Sequence, residues 1–133
     1  MTASVRLSIR AAILVAILGA AGAQTGAQTA GTGRVMRDKL THAQRILEAI
    51  MTSNYALLDR ESAELVKATE LPAWSVFKSP EYLRQSAAFE RALLDLGDAA
   101  ARKDLEAASF DYVSLTLTCF QCHRHFKGRR LAR

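Results

Sequence analysis

The chain has 133 residues, half of them hydrophobic, and a formal net charge of +5, so its length suits one domain with one modest core. The distribution of that charge argues against nucleic acid binding, because no basic recognition helix and no aromatic RNA-binding motif accompanies it. Five positive charges cluster at the C-terminus: Arg124, Lys127, Arg129, Arg130 and Arg133. Such a tail is suited to complement the negative end of the last helix or to dock an acidic partner.

The N-terminus resembles a targeting segment rather than part of a fold. Arg6 and Arg10 precede an apolar run over 11–18, and small residues follow up to Ala21-Gly22-Ala23. This order of a basic region, an apolar region and a small-residue cleavage site predicts a secretory signal peptide over residues 1–23. The alternative is an uncleaved membrane anchor, for which the apolar run is short.

The segment 24–33 consists of Gly, Ala, Thr and Gln, with no charge and no bulky apolar residue. It cannot bury enough surface to order itself, so we expect a flexible leader of the mature protein. The domain then extends over 34–133 and ends in the basic tail. Export predicts a periplasmic location.

Two helical stripes follow the leader. The first has alternating steps of four and three residues: Met36, Leu40, Ala43, Leu47 and Ile50. The turn-favouring residues at 52–54 interrupt it. The second stripe predicts a helix over about 54–69: Tyr55, Leu58, Ser62, Leu65 and Thr69.

An apolar loop over 71–79, which contains Trp74, is expected to lie over one end of the helices, with that ring as a packing plug. Ser79 and Pro80 are typical of a helix start. The third stripe is the most regular: Tyr82, Ser86, Phe89, Leu93, Leu96 and Ala100. After a polar link at 102–104, the fourth stripe carries both cysteines: Ala108, Tyr112, Leu115, Cys119, Cys122 and Phe126.

Gly128 is expected to end the fourth helix. Four amphipathic stripes joined by short links predict an all-α protein, an antiparallel four-helix bundle. The two thiols should therefore lie on the inward face of a bundle helix.

The residues Cys119-Phe120-Gln121-Cys122-His123 form a C-x-x-C-H motif, the pattern of c-type haem attachment. Two thiols three residues apart on a helix can form thioethers with the two vinyl groups of one porphyrin. The imidazole of the next residue can then serve as the proximal iron ligand. The motif predicts one covalently bound haem c.

Two other uses of a C-x-x-C pair remain open, a redox disulfide and half of a zinc site. A redox pair is expected at the start of a helix beside a strand, whereas helical residues precede this one. A zinc site normally needs four ligands, and the chain has only two cysteines. His42 and His125 would have to complete a set with His123, although both are expected to be surface residues.

Over roughly residues 34–127 the chain resembles the cytochrome c′ family and its low-spin relatives. The four stripes and the C-x-x-C-H close to the C-terminus carry this resemblance. The segment 71–77 is similar to the Pro/Trp stretch before the third helix of that family, and Phe126 and Lys127 match its aromatic and basic pair after the haem-binding His. The resemblance implies that Cys119 and Cys122 hold the haem.

In that family a residue of the first helix faces the iron on the side opposite the His. A Met there gives a six-coordinate electron carrier, while a bulky residue that does not ligate leaves a five-coordinate iron open to small gases. The resemblance implies Met36 as the distal iron ligand, with Leu40 as the competing distal residue and Phe126 near the haem. Met36 as a core filler is the alternative.

The expected function is one-electron transfer in the periplasm, and the alternative is binding or sensing of NO or CO. No acid–base pair or nucleophile accompanies the motif, so no enzyme is predicted. The expected partner is a redox protein, acidic if it docks the basic tail. Neither nucleic acid nor, with a cleaved leader, a membrane is expected, and a homodimer remains an open alternative.

Overall fold

The computed structural model describes residues 31–72, 74 and 77–131, with side chains up to Phe126. These residues form four α-helices and no strand, which confirms the all-α prediction and is consistent with a helical bundle. The helices are α1 (31–51), α2 (Tyr55–Thr69), α3 (Pro80–Arg102) and α4 (Leu105–Leu131). Within the described part of the chain, none of them is long and apolar enough to cross a membrane.

A boundary between two units of the chain falls after Arg34, and the second unit spans Val35–Arg133. The predicted signal peptide and most of the predicted leader lie outside the described residues. The last three leader residues, 31–33, are already helical. A helix extends more easily than it nucleates, so these weak helix formers can continue α1 at its start.

Side chains cap the helices at the positions that the sequence indicates. The Asn54 side chain accepts a hydrogen bond from the Leu57 backbone N–H at 3.0 Å, and α2 begins directly after Asn54. The Ser79 hydroxyl accepts from the Tyr82 N–H at 3.3 Å, and Pro80 is the first residue of α3. Both caps satisfy N–H groups that have no partner within the helix.

The same turn joins α1 to α2 and α3 to α4. Ser53 and Lys103 both have a left-handed backbone, with φ of 52° and 56°. The next backbone N–H, that of Asn54 or Asp104, bonds a carbonyl five residues earlier at 2.8 or 2.9 Å. Asp104 then caps α4 by accepting from the Ala107 N–H at 2.9 Å. Each helix therefore stops and the next starts within three residues.

Helix α3 contacts both α2 and α4 and supplies much of the core. Its predicted stripe is buried at Tyr82, Phe89, Leu93, Leu96 and Ala100. The other helices contribute buried side chains that pack with it: Ile46, Ala49, Ile50, Leu58, Leu65, Ala108 and Leu115. This core holds α4 with its cysteine-bearing face turned toward α3 and α1.

The predicted inward face of α1 is wrong at two positions. Leu40 is 60% exposed and Leu47 is also exposed, whereas Val35, Ile46 and Ala49 are buried. Helix α1 carries apolar residues on two faces, so a helical repeat of apolar residues does not distinguish the buried face from the exposed one. The buried face is the one that also places His42 and Arg45 against Glu61 of α2.

The predicted end of α4 at Gly128 is also wrong, because the helix continues to Leu131. A glycine inside a helix costs only about 1 kcal/mol relative to alanine, which does not stop a helix that is otherwise well formed. The positive charges of the tail also favour the C-terminal end of a helix dipole.

A buried carboxylate connects α2 to α1. Glu61 is only 2% exposed, and its side chain bonds His42 Nδ1 at 2.6 Å, Arg45 at 3.3 Å and Arg60 at 3.0 Å. Burial alone would raise the pKa of Glu61, but the hydrogen bonds from His42 and Arg60, together with the charge of Arg45, hold it below its ordinary value. The carboxylate is therefore stabilised in its charged form.

Replacing Glu61 by Gln should lower the free energy of unfolding by about 2 kcal/mol at pH 7, because the charge-assisted bonds of a buried group are lost. A lowered folded-state pKa means that this stabilisation is complete above the unfolded value of 4.5 and is lost as the pH falls through the folded value. Urea unfolding should thus separate the two proteins at pH 7 and bring them together once the pH has fallen through the folded-state pKa of Glu61. Glu64→Gln is the control, since that carboxylate is exposed and pairs only with Lys67 among the described residues. An equal effect of both substitutions would contradict this role of Glu61.

Candidate functional site

Helix α4 presents the three reactive residues of the C-x-x-C-H motif to one small cavity. Cys119 and Cys122 are half-buried and neither forms a disulfide. Together with His123, both cysteines line a cavity of about 30 Å³. Because the spacing of three residues follows the helix period, the two sulfurs lie on the same flank of α4.

Helix α1 supplies the facing wall with Met36 and Lys39, which line the same cavity. Lys39 Nζ lies 3.9 Å from the ring centroids of both Trp74 and Phe89, a cation–π geometry. Burial lowers the pKa of Lys39 to about 8, although the nearby thiols of Cys119 and Cys122 act in the opposite direction. At neutral pH this amine remains mostly protonated.

Aromatic rings form the third wall. Trp74 and Phe89 lie with ring centroids 5.2 Å apart, and Tyr82 lines the cavity beside them. The Tyr82 hydroxyl donates a hydrogen bond to the Trp74 backbone carbonyl. This bond attaches the loop before α3 to α3 itself, so the buried Trp74 ring is part of the cavity wall. The sequence predicted only a packing plug at this position.

Gln85 provides an unused acceptor at the cavity. Its side-chain nitrogen donates to Glu81 at 2.9 Å, while its Oε1 is buried and has no hydrogen-bond partner among the described residues. A buried polar atom without a partner is costly, so such an atom commonly marks a place for water or a bound group. Gln85 therefore adds a polar contact to a largely apolar cavity.

The residues fit a haem c in their chemistry. Two free cysteines, the adjacent His123 and Met36 line a space that three aromatic residues, Trp74, Tyr82 and Phe89, also line. These are the donor types that attach and ligate such a group, in the apolar setting that c-type haems use. A cavity of about 30 Å³ holds on the order of two waters, so Lys39 and its neighbours must move apart before a porphyrin can enter.

The other two predicted site residues lie elsewhere. Leu40 does not line the cavity and points to solvent, so its predicted inward position is wrong. Phe126 is also outside the cavity wall. Its ring stacks on Phe77 at 4.9 Å and meets Tyr82 edge-on at 5.3 Å. These three rings hold the end of α4 against the loop and the start of α3.

His42 and His125 were expected to be surface residues, but both are half-buried and contact other side chains. The half-buried His42 bonds Glu61, and His125 packs its ring edge against Phe126 at 4.8 Å. Nε2 of His125 is buried without a hydrogen-bond partner in the described part of the chain. No group of three or more His, Cys, Asp or Glu among the described residues is arranged to hold a metal ion, so the zinc set considered from the sequence is not assembled.

Sequence reasoning missed Lys39, Trp74 and Gln85 as neighbours of the cysteines. Lys39 lies three residues after Met36, and Gln85 lies three residues after Tyr82, so helical spacing places each beside a residue that was predicted to face inward. Because Lys39 and Gln85 are polar, they were not counted among the inward-facing positions. The position of Trp74 beside the cysteines depends on the path of the loop, and no local sequence pattern indicates it.

Comparison with known proteins adds no family to these observations. No protein-family model, no curated protein and no solved structure matches the chain. The cavity, which Cys119, Cys122, His123 and Met36 line together with three aromatic residues, is therefore the basis on which a function is assigned.

Proposed function

We propose that the chain is a c-type cytochrome that carries one covalent haem and transfers single electrons. One observation carries this proposal: both cysteines, His123 and Met36 line one cavity, although Met36 is more than 80 residues away in the sequence. Cys119 and Cys122 would hold the haem, His123 would be the proximal ligand and Met36 the distal one. When bound, the haem supplies a reversible one-electron couple.

The residues that line the cavity would influence the reduction potential of that couple. Trp74 and Phe89 exclude water from one side, which lowers the local dielectric and influences the potential of a bound group. Gln85 offers an acceptor to a polar edge that enters the cavity. Lys39 is expected to turn outward, since its amine occupies the space between the two rings.

A thiol redox role is less well supported. Reactive C-x-x-C pairs contain a thiol whose pKa is lowered by a helix N-terminus or by cations. Here burial raises the pKa of Cys122, helped by the charges of Cys119 and Glu81, and the positive charge of Lys39 only partly offsets this. A thiol that stays protonated at neutral pH is a poor nucleophile.

The proposed fold is an antiparallel four-helix bundle of the cytochrome c′ type. Its support is the pair of tight turns at 52–54 and 103–104, since connections this short usually join antiparallel neighbours. The packing of α3 against both α2 and α4 agrees with that order.

Absorption spectra of the purified protein, oxidised and then reduced with dithionite, test the proposed function. We expect a haem Soret band and sharp reduced bands typical of haem c in alkaline pyridine, with full return to the oxidised spectrum on adding ferricyanide. A colourless protein, or one whose bands do not change with oxidation state, would refute electron transfer.

We further propose a periplasmic location, supported by the leader. Cleavage is expected near Ala23, because small residues at that point match the processing site of a signal peptide. N-terminal sequencing of protein recovered from a bacterial periplasm should begin at or near Gln24. Recovery of an intact Met1 in the membrane fraction would instead indicate an anchor. The proposed partner is an acidic redox protein that docks the basic tail.

A further inference from the structure

The face of helix α4 that points away from the cysteines is also apolar. Four large side chains on it are 52% to 68% exposed: Phe110, Val113, Leu117 and Phe120. We call these four residues the outer stripe. Steps of three and four residues keep them in line along the helix, about half a turn away from the buried Leu115. No described part of the chain covers the outer stripe.

Little charge surrounds the outer stripe. Between residues 107 and 123 the sequence contains a single Asp, Glu, Lys or Arg, the half-buried Asp111. Exposed Leu40 and Leu94, by contrast, lie among charged neighbours on α1 and α3. A helix that is apolar on opposite faces normally has both of them covered. The outer stripe therefore has the composition of a surface that enters an apolar environment.

The hydroxyl groups beside the outer stripe do not need water as a hydrogen-bond acceptor. Ser109, Ser114 and Thr116 each donate to the backbone carbonyl four residues earlier, at 2.8, 3.1 and 2.8 Å. Burying a hydroxyl is costly when its donor loses its partner, and here the partner lies within α4. These residues can thus leave water together with the stripe.

Positive charge begins where the outer stripe ends. The exposed Arg124 follows Phe120 by one turn of α4, and its guanidinium lies 5.6 Å from the centroid of that ring. Four more positive charges lie between there and the end of the chain: Lys127, Arg129, Arg130 and Arg133. An apolar stripe with aromatic rings, followed by a run of Lys and Arg, is the pattern of helices that lie in the interface of an anionic membrane.

The shape of the outer stripe also favours lipid over a folded protein. All four side chains are more than half exposed, so they project from a single helix as a ridge about 15 Å long. Lipid head groups and chains are fluid and close around such a ridge, whereas a protein would need a groove of matching shape. Positions 129 and 130 lie on other sides of α4, where they can meet the acidic partner proposed above.

We propose that the outer stripe docks the protein on the surface of an anionic membrane. Glu106 is exposed and continues the line of the stripe at its other end, where an anionic surface repels it. Helix α4 should therefore tilt, with Arg124 closest to the lipid head groups. From the sequence, a membrane contact was expected only for an uncleaved leader. The proposal goes beyond electron transfer and does not rest on it, because the stripe residues are not among those that line the cysteine cavity.

Co-sedimentation with vesicles tests the docking surface, using protein recovered from a bacterial periplasm. We expect binding to vesicles of equal parts phosphatidylglycerol and phosphatidylcholine, and much weaker binding to phosphatidylcholine alone. Leu117→Asp should lower the partition coefficient at least about tenfold, because it removes an apolar contact and adds a repelled charge. Leu94→Asp is the control, since it makes the same change at a residue of α3 that is 55% exposed and lies off the stripe. Equal effects of both substitutions, or no binding to the anionic vesicles, would overturn the proposal, and a protein would then be the partner of the stripe.

Three further variants separate the stripe from the charge at its ends. Leu117→Ser keeps the net charge and should still weaken binding about fivefold, because the apolar contact is lost. Arg124→Gln should weaken binding to the anionic vesicles by a similar factor, while Glu106→Gln should strengthen it. Circular dichroism confirms that each variant keeps its helices. If Leu117→Ser binds like the wild type, the attachment comes from the basic tail or from a retained leader, and the proposed role of the outer stripe is wrong.

Discussion

Replacing Cys119 and Cys122 together by Ala is expected to abolish covalent haem attachment completely. Each thiol is the only group at its position that can form a thioether, and the chain contains no other cysteine. The purified wild type should keep its colour in the protein pellet after extraction with acid acetone, whereas the double variant should lose it to the solvent. The expected difference is close to all or nothing.

The single variants and a ligand variant refine this result. Either single Cys→Ala should retain haem through one remaining bond, at reduced yield. His123→Ala should keep the haem on the protein after extraction, because the thioethers remain, but should change the spectrum by removing the proximal bond. Ser114→Ala, an exposed position on the same helix outside the cavity, is the control for expression and folding. Retention of haem by the double Cys variant would contradict covalent attachment.

Replacing Met36 by Ala is expected to open a six-coordinate iron to CO. Met36 is the described methionine that lines the cavity, and its thioether stays neutral at every pH. Lys39 is the other candidate ligand on α1, but its amine, with a pKa of about 8, must release a proton before it can ligate iron, whereas the thioether needs no such step. The ferric wild type should show a weak sulfur-to-iron charge-transfer band at the red edge of the visible spectrum, which Met36→Ala removes.

Met51→Ala is a matched control for this prediction. Met51 is exposed and lies on the same helix, about 22 Å from Met36 along its axis. It should change neither the band nor the rate of CO binding. If Lys39→Ala opens the iron and Met36→Ala does not, the distal ligand is the lysine. If the wild type is already high-spin and binds CO rapidly, Met36 is only core packing and gas binding becomes the leading function.

The helices were predictable because their signals are local. Asn54 and Ser79 cap α2 and α3 through hydrogen bonds three residues away, and Pro80 fits only the first turn of a helix. The stripe of α3 is the most regular in the chain, so its period identifies what is buried, although Leu83 and Leu94 lie exposed off the stripe.

The face of α1 could not be predicted in this way. Leu40 and Leu47 on one side are as apolar as Val35 and Ile46 on the other, and periodicity does not distinguish the two sides. The choice depends on long-range contacts, one of which is the bond between His42 and the buried Glu61 across 19 residues. A charged residue in the core gives no local sign of its position.

The lining of the cavity could likewise be predicted only in part, because some of it depends on long-range contacts. Its α4 wall follows from the motif, and Met36 was placed there from a family resemblance. Lys39 and Trp74 reach it through packing between separate elements, so no stretch of sequence contains both partners. Two apolar faces on α4 also obscure its orientation, and only the cysteines indicate which face is inward.

The intact mass of the denatured wild-type protein tests the central claim most directly. A chain with both thioethers formed should exceed the mass of the processed polypeptide by one haem and should remain coloured under denaturing conditions. The Cys119→Ala/Cys122→Ala protein, measured alongside, should have the mass of its polypeptide alone. A wild-type mass equal to that of the bare polypeptide, after expression with the machinery for covalent haem attachment, would contradict the assignment of Cys119, Cys122 and His123 as a haem c site.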